Sequence, residues 1–339
     1  MDLGDRRHKY CVLNESGKVV KTGDIANSRG QLEAIARSYA GSRVVLECGT
    51  HSPWVSRYLE GLGMKVIVAN ARKTRAISEN ERKSDERDAE LLARLGRVDP
   101  ALLHPVVHGS EQAQHDMLQI KLRDALVRNR ASLINAVRFT LKSLGYAVSN
   151  PSSASFHKTI GSEIPASCRV LIAPILAALE ELSVRIKELE TSIAQMARQR
   201  YPQAQKLQQI AGVGPITSIY FVLKIGEPAR FARNRDVGAF LGLCPRRDQS
   251  GNTDKELRIS KCGDRYLRRL LVNAAQYVLG PFGAPSALRD HGLRLAKEEG
   301  GTARAKKRAV VAVARKLAVL MLSLWKSQSS YQPFPEAIN

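Results

Sequence analysis

Cysteine is scarce in this sequence, and the few cysteines present are not paired. The chain has 5 cysteines in 339 residues, with no Cys-x-x-Cys pair and no ligand-like spacing to its 7 histidines. This distribution excludes a disulfide-stapled scaffold and a structural zinc site. It favours free thiols in a reducing compartment, at Cys11, Cys48, Cys168, Cys244 and Cys262.

The sequence also lacks a long hydrophobic run. Its most apolar late segment, 309–325, is interrupted by Arg315 and Lys316, which leaves pieces too short to cross a bilayer. The first residues, Met-Asp-Leu-Gly-Asp-Arg-Arg, contain no apolar core of a signal peptide. We therefore predict a protein that is neither secreted nor membrane-spanning, and we expect it in the cytoplasm.

Acidic and aromatic residues are both in deficit. The chain has 32 Asp and Glu against 53 Lys and Arg, a formal net charge of +21, while 44% of its residues are hydrophobic. That apolar content predicts folded cores, and the positive field predicts a polyanionic partner. Since aromatic residues make up only 5% of the chain, stacking platforms for single-stranded nucleic acid are not favoured.

The first third of the chain alternates between strand-like and helix-like patterns. Strand-like runs at 9–12 and 18–22 flank a turn signal at 14–17, which predicts a hairpin. The pattern continues as helix, strand, helix and strand, over 28–39, over 43–46, from Ser52-Pro53, and over 65–68. A helix between two buried strands indicates parallel pairing, so we predict an α/β layer with a right-handed β-α-β unit attached to the hairpin.

The middle of the chain is helical and carries a heptad pattern. Apolar residues recur at alternating steps of four and three, at Ile175, Leu179, Leu182, Ile186, Leu189, Ile193 and Met196. Such a seam needs a partner helix, either 114–144 of the same chain or the same seam in a second subunit. Because an intrachain loop costs little entropy, we favour antiparallel pairing within the chain and leave dimerisation at its tip open.

The last third predicts helices at 264–279, 286–297 and 302–327, preceded by a polar loop after Pro245. With the patterns above, it predicts three domains and a tail, at 1–105, 106–204, 205–330 and 331–339.

Four carboxylates in the first hundred residues are candidates for chemistry. Asp85 and Asp88 share a face of a predicted helix start, although acidic residues there ordinarily stabilise the helix dipole. Glu47 ends an apolar strand, where a carboxylate is costly unless it is paired or bound to a metal. Asp2 lies at the end of a first strand or in a disordered terminus. Together they predict an oxygen-only cluster suited to Mg²⁺ or Mn²⁺.

These carboxylates lie in motifs that resemble a known family. Three segments are similar, in chain order, to the DEDD tetrad of insertion-sequence transposases built on a RuvC-like, RNase H-like domain. They are Asp2-Leu3-Gly4, Glu47-Cys48-Gly49-Thr50-His51 and Lys83-Ser84-Asp85-Glu86-Arg87-Asp88-Ala89. The resemblance implies that all four carboxylates are catalytic metal ligands in a DNA strand-cleavage and strand-exchange reaction.

Two motifs in the last third extend the resemblance. Gly212-Val213-Gly214-Pro215 resembles a helix-hairpin-helix entry that presents backbone N–H groups to phosphate, although a plain tight turn explains four residues equally well. The stretch 242–269 resembles the serine-bearing motif of the same family, with Ser250 in a position that is otherwise typical of a turn serine. Cations near Ser250 predict phosphate contacts, at Arg246, Arg247, Lys255, Lys261, Arg265 and Arg268.

A serine hydroxyl is a weak nucleophile until a base or metal removes its proton. The resemblance implies a composite site that joins tetrad, metal and Ser250, with a covalent serine–DNA link during strand exchange. It also implies a structured noncoding bridge RNA that pairs with donor and target DNA. Synapsis of two duplexes implies a dimer or tetramer.

The resulting fold class is α/β plus all-α. It combines an RNase H-like mixed sheet with helices, a helical coiled-coil insertion, and a C-terminal helical domain with a helix-hairpin-helix-like element.

Two alternatives stay open at this point. One is a RuvC-like, structure-specific nuclease in which Ser250 is structural, and the other is an inactive nucleic-acid-binding remnant. Members of the family carry several apolar residues ahead of the first aspartate, whereas this chain has one before Asp2. Either the true start lies upstream or the site is impaired. If the start lies upstream, an added apolar strand should raise stability and activity.

Overall fold

The structure is a computed structural model, and it describes residues 1–75, 84–250 and 253–334. The chain divides into two compact units, Met1–Glu111 and Gln112–Asn339. All five cysteines are free thiols, as the sequence predicts. Within the described ranges, no helix combines the length and apolarity that a membrane span requires. The finer division into three domains and a tail stays a prediction.

The first unit contains the predicted hairpin and β-α-β pattern. Its strands are β1 (Asp2–Leu3), β2 (Arg7–Leu13), β3 (Val19–Ala26), β4 (Arg43–Glu47) and β5 (Lys65–Ala69). Its helices are α1 (Arg29–Ser38), α2 (Ser52–Gly61), α3 (Ala71–Arg75) and α4 (Asp85–Val98). Strands β1, β2 and β3 pair antiparallel in that order, and β4 pairs parallel with β5 across α2. The hairpin and the parallel pairing are therefore confirmed.

One prediction needs correction, because these strands do not form a single mixed sheet. The described strands of this unit make two ladders, β1-β2-β3 and β4-β5. A backbone hydrogen bond from the Met1 amino group to the Val45 carbonyl, 2.7 Å long, joins β1 to β4. Strand β1 forms its ladder with β2, so this bond links two separate ladders.

Strand β4 is buried on both faces and separates two apolar clusters. Leu46, with Val44 beside it, packs on the side of α1 and α2, against residues that include Leu32 and Leu59. Val45 packs on the opposite side against Leu92 of α4. Because side chains alternate along a strand, residue 47 must project to the same side as Val45. The apolar pattern of β4 thereby directs Glu47 toward α4.

Helix α4 packs on β4 through a glycine contact. Ser84 caps the helix, and its hydroxyl accepts a hydrogen bond from the Arg87 amide. A Cβ atom on Gly96 would lie 2.2 Å from Cγ2 of Val45. Arg43 also donates a 2.8 Å hydrogen bond to the Gly96 carbonyl. Because glycine has no side chain, residue 96 allows α4 to lie close to β4, the strand that carries Glu47.

The second unit begins with two long antiparallel helices, α5 (Glu111–Ser143) and α7 (Ala166–Arg200), joined through α6 (Phe156–Thr159). Arg123 of α5 pairs with Glu190 of α7, and Arg130 donates to Ser183, so residue numbers fall on one helix as they rise on the other. Buried α7 residues recur every seven positions, at Ile172, Leu179, Ile186 and Ile193. The heptad seam thus has the favoured intrachain partner, while its supercoiling stays a prediction.

A buried carboxylate ties the open end of this helix pair together. Asp116 of α5 is 1% exposed and accepts hydrogen bonds from Nη1 of Arg200 at 2.6 Å and from the Tyr201 hydroxyl at 2.7 Å. Burial and the Asp116 carboxylate raise the pKa of Tyr201 above its ordinary value. Tyr201 therefore remains a neutral donor that holds the start of α5 against the end of α7.

The remainder of the second unit is a helical domain around α13. Its elements are α8 (Pro202–Leu207), α9 (Pro215–Ile225), α10 (Asp236–Phe240), β6 (Pro245–Ser250), β7 (Thr253–Ile259), α11 (Arg265–Leu279), α12 (Ala287–Glu298) and α13 (Ala303–Ser327). The three predicted helices are confirmed, and Asp264, Ser286 and Thr302 cap them with side-chain hydrogen bonds. The predicted polar loop is wrong, because the chain there forms the antiparallel hairpin β6–β7.

Gly96→Ala is expected to destabilise the first unit by about 1–3 kcal/mol, because the new methyl group would overlap Val45. Gly61→Ala in α2 is the matched control, since a Cβ there meets no atom within 4 Å. Thermal unfolding of the full chain, with hydrogen exchange of the β4 amides, measures both variants. Equal stability of the two variants would contradict the packing described here.

Candidate functional site

The four predicted metal-binding carboxylates belong to one side of the first unit. Glu47 projects toward α4, as the alternation along β4 requires. In β1, Leu3 packs with the apolar cluster of α1 and α2, so the preceding residue, Asp2, projects to the opposite side. Asp85 and Asp88 lie in the first turn of α4. Three separate elements therefore direct carboxylates toward the same side.

Two contacts bracket the place where β1 and β4 meet. One contact involves residues that precede Asp2 and Glu47 in the sequence: the Met1 amino group donates a hydrogen bond to the Val45 carbonyl. The other involves residues that follow them: Nε2 of His51, after β4, lies 2.9 Å from Oδ1 of Asp5, after β1. These two contacts fix the relative position of the strand ends that carry Asp2 and Glu47.

The pKa of Asp2 reports how close the carboxylates are. Burial raises this pKa, and the negative charges of Asp85 and Asp88 raise it further, while the Met1 amino group works in the opposite direction. A nearby negative charge disfavours the ionised form of a carboxyl group unless a cation lies between the two. Asp85 and Asp88 at the start of α4 are therefore close enough to act on Asp2.

The donor chemistry of this set fits a hard cation such as Mg²⁺ or Mn²⁺, which prefers carboxylate oxygens. Asp2, Glu47, Asp85 and Asp88 are the residues that would hold it. Over the parts of the chain that the structure covers, however, no three His, Cys, Asp or Glu side chains already converge closely enough to hold a metal ion. The raised pKa of Asp2, not a preformed cage, is the observation that favours a cation at this place.

One cation near the carboxylates was not predicted from the sequence. Lys9 is the cross-strand partner of Asp2, so the two side chains share a face. Its Nζ lies 3.5 Å from Glu86 and 4.0 Å from Asp24. The register of the hairpin, in which Lys9 stands opposite the first strand, is the signal that identifies it. Lys9 supplies positive charge beside the carboxylates of α4.

The predicted nucleophile lies on the hairpin of the second unit, whose root is tightly packed. Gly242 has a φ of +68°, and a Cβ there would lie 2.3 Å from the backbone N and O atoms of Cys262. Gly263, at φ +73°, passes equally close to the Phe240 carbonyl. Only glycine combines these positive φ angles with such close backbone approach. The two ends of the hairpin therefore cross at a fixed point.

Ser250 lies at the far end of β6, where every strand residue is exposed. Its cross-strand partner is Thr253, and the next pair on the same face is Asp248 with Lys255. Arg247 lies on the other face and forms a 2.9 Å ion pair with Asp254. Among the described residues, nothing hydrogen-bonds to the Ser250 hydroxyl. The described carboxylate on the same face of β6 is that of Asp248, two residues before Ser250.

The predicted phosphate contacts divide into two groups. Arg246, Lys255, Lys261 and Arg265 are exposed around the hairpin. Arg268, in contrast, donates hydrogen bonds to the carbonyls of Leu241 and Cys262 and so holds the hairpin root together. Arg247 has the partner described above. The exposed group retains its predicted role, while Arg268 has a structural role that the sequence pattern did not reveal.

The predicted helix-hairpin-helix turn connects α8 with α9. Gly212 has a φ of +85°, and a Cβ there would lie 2.9 Å from the Ala274 carbonyl, so this glycine is required by packing. Gly214 is the N-cap of α9, has open space around it, and offers no side-chain cap. The first residue of α9 is Pro215, which has no N–H, and the Ser218 amide donates to the Gly214 carbonyl, so the predicted phosphate contact at this turn stays a prediction.

Comparisons with known proteins match both parts of the chain. Residues 1–145 match the profile of DEDD transposases of IS110 elements, and residues 204–288 match the profile described as the transposase IS116/IS110/IS902 family. Asp2, Glu47, Asp85 and Asp88 lie in the first match, and Ser250 lies in the second.

Two relatives extend these matches. The chain is 26% identical over 339 residues to the transposase for insertion sequence element IS1111A of Coxiella burnetii, covering 98% of this chain and 90% of the relative. It is 28% identical over 282 residues to the transposase for insertion sequence element IS1328 of Yersinia enterocolitica, covering 81% of this chain and 82% of the relative. The similarity therefore includes the helical region between the two profiles.

Asp2→Asn is expected to stabilise the first unit at pH 7 without divalent cations, by up to about 1 kcal/mol after solvent screening. The folded pKa of Asp2 lies above its ordinary 3.8, so its charge destabilises the fold increasingly as pH rises through that folded pKa. The gain should vanish below the ordinary pKa, where the carboxyl is neutral in both states. Thermal unfolding as a function of pH measures this difference, and a destabilising substitution at pH 7 would refute it.

Proposed function

Because this chain belongs to the IS110 family of insertion-sequence transposases, we propose that it cleaves and exchanges DNA strands with a metal-dependent carboxylate site and Ser250 as the nucleophile. The observation that carries the metal part is the raised pKa of Asp2, caused by its burial and by the nearby charges of Asp85 and Asp88. The serine part is supported by an exposed hydroxyl at the end of a hairpin with a fixed root. Substitution of Ser250 distinguishes this reaction from the alternative, a nuclease without covalent chemistry.

The carboxylate set supports a role in charge neutralisation. A bound Mg²⁺ or Mn²⁺ would polarise a phosphodiester and stabilise the oxygens that attack and leave. Asp85 and Asp88 would hold it from one helical turn, and Asp2 and Glu47 from the strand ends. Lys9 limits the net negative charge of this side when no cation is present.

The serine step balances as a phosphoryl exchange. The Ser250 oxygen forms a bond to phosphorus as the bridging P–O bond of the DNA backbone breaks. The serine proton leaves to a carboxylate base and ends on the released strand hydroxyl, so no oxidant or other reactant is consumed. The reverse reaction with a hydroxyl from another strand completes the exchange.

Such a step needs a base that accepts the serine proton. The carboxylate set is the source we propose. The pairing of two DNA duplexes also supports assembly as a dimer or tetramer. A bridge RNA would supply sequence recognition by base pairing, which agrees with a protein rich in Lys and Arg and poor in aromatic residues.

Divalent cations are expected to raise the melting temperature of the wild-type protein, because they relieve repulsion among the carboxylates. Asp88→Asn should abolish most of that increase and reduce DNA cleavage by at least about a hundredfold. Glu86→Gln is the matched control, since Glu86 lies in the same helical turn but pairs with Lys9. Thermal scans with and without Mn²⁺, together with cleavage assays, measure both effects.

An equal loss in Asp88→Asn and Glu86→Gln would indicate a general effect of charge on α4. That result would overturn the proposed metal site.

Ser250→Ala is expected to eliminate the covalent protein–DNA adduct and strand exchange, because no oxygen remains to attack phosphorus. Gln249→Ala is the matched control, since residue 249 is exposed on the opposite face of the same strand. Adducts are trapped with cognate DNA, RNA and Mg²⁺ and identified by mass spectrometry. Cleavage that persists in Ser250→Ala without any adduct would establish the nuclease alternative instead.

A further inference from the structure

The helical hairpin formed by α12 and α13 carries a concentrated positive charge. The proposed function gives this charge no role. Residues 287–316 lie almost entirely beyond the family match, which ends at residue 288. This stretch contains nine basic residues, Arg289, Arg294, Lys297, Arg304, Lys306, Lys307, Arg308, Arg315 and Lys316. It contains three acidic residues, Asp290, Glu298 and Glu299.

Three of these arginines form a stripe along α13. Arg304, Arg308 and Arg315 are separated by four and seven residues, so at about 100° per residue they lie within roughly 40° of one another. All three are exposed, whereas Val313 and Leu317 on the other side are fully buried. Eleven residues at about 1.5 Å each give the stripe a length of roughly 16 Å.

The stripe is not explained by the stability of the helix. Arg308 pairs with Glu299 at 3.3 Å, but no carboxylate of the described residues lies within 4.0 Å of Arg304 or Arg315. The first turn of α13 has no acidic residue, although acids there would favour the helix dipole and cations oppose it. Arg304 and Arg308, four apart, also repel each other. These charges cost stability in the free protein, which an anionic partner would offset.

The stripe ends at the root of the Ser250 hairpin. A Cβ on Gly238 of α10 would lie 3.0 Å from Cγ of Arg315, 3.3 Å from its Nε, and 3.4 Å from Sγ of Cys244. Cys244 immediately precedes β6, and its carbonyl accepts a 2.9 Å hydrogen bond from the Ser260 amide at the hairpin base. Arg315 therefore lies against the point from which the hairpin extends.

We propose that Arg304, Arg308 and Arg315 form a track that binds three backbone phosphates, spread over about five nucleotides, of the DNA strand on which Ser250 acts. At about 3.4 Å of axial rise per nucleotide, 16 Å of track spans roughly five nucleotides. Of the three contacts, that of Arg315 lies nearest the root of the hairpin, and that of Arg304 lies farthest from it. This inference rests on the proposed function for the identity of the strand, but the track itself is a binding surface independent of chemistry.

The decisive experiment measures DNA binding in the full-length protein with Ser250→Ala throughout, so that no chemistry intervenes. Arg304→Gln, Arg308→Gln and Arg315→Gln should each weaken duplex binding several-fold and reduce the slope of log K against log salt by about 0.9, the effect of one lost phosphate contact. Lys306→Gln is the control, because Lys306 is exposed on the same helix but roughly 160° from the stripe. It should change neither value measurably.

A scan with single methylphosphonates locates the contacts along the strand. In the reference protein, neutral linkages should weaken binding at positions spread over about five nucleotides on one side of the cleavage site. Arg315→Gln should remove the sensitivity at one end of this stretch and leave that at the other end intact. A uniform effect along the strand would overturn the track.

The remaining outcomes separate this inference from the proposed function. Equal losses in Lys306→Gln and the track variants would show only a general positive field and refute the track. Loss of RNA binding with unchanged DNA binding would refute it as well. If the track variants behave as expected but protein with Ser250 forms no adduct, the serine chemistry fails while the track stands.

Discussion

The alternation of side chains along β4 is the constraint on which the first unit depends. Val44 and Leu46 are committed to one apolar cluster and Val45 to the other, so the side on which Glu47 emerges is already decided. A slip of one residue would exchange both sets and turn Glu47 toward the apolar cluster of α1 and α2. The same packing that stabilises the fold therefore orients a carboxylate toward α4.

The sequence predicts most elements of this fold because their signals are local. Apolar runs identified β4 and β5, the heptad spacing identified α7, and polar caps such as Asp264 and Thr302 marked helix starts. The hairpin β6–β7 was missed because its first strand, Pro-Arg-Arg-Asp-Gln-Ser, is exposed on both faces. A strand without a buried face has no hydrophobic alternation, and such a segment is read as a loop. The single mixed sheet was also predicted wrongly, because strand length alone does not reveal which edges meet.

The candidate site was predictable in its chemistry but not in its arrangement. The types and order of the carboxylates indicated a cation site, whereas the contacts that bring their strands together, Met1 with Val45 and His51 with Asp5, join residues 44 and 46 positions apart. Arg315 shows the same limit in another form. In the sequence it merely interrupts an apolar segment, and only the packing of α13 against α10 places it beside the hairpin root.

The close packing of Gly242 and Gly263 at the root of the β6–β7 hairpin bears on when Ser250 could react with DNA. Gly242 and Gly263 fix the root of the β6–β7 hairpin, whereas β6, which carries Ser250, is exposed along its whole length. Under the proposed mechanism, DNA cleavage therefore requires that the carboxylate set and the DNA strand reach the β6–β7 hairpin at the same time. Reactivity is then a property of the complete assembly, and a stray encounter between one subunit and a duplex leaves the DNA intact.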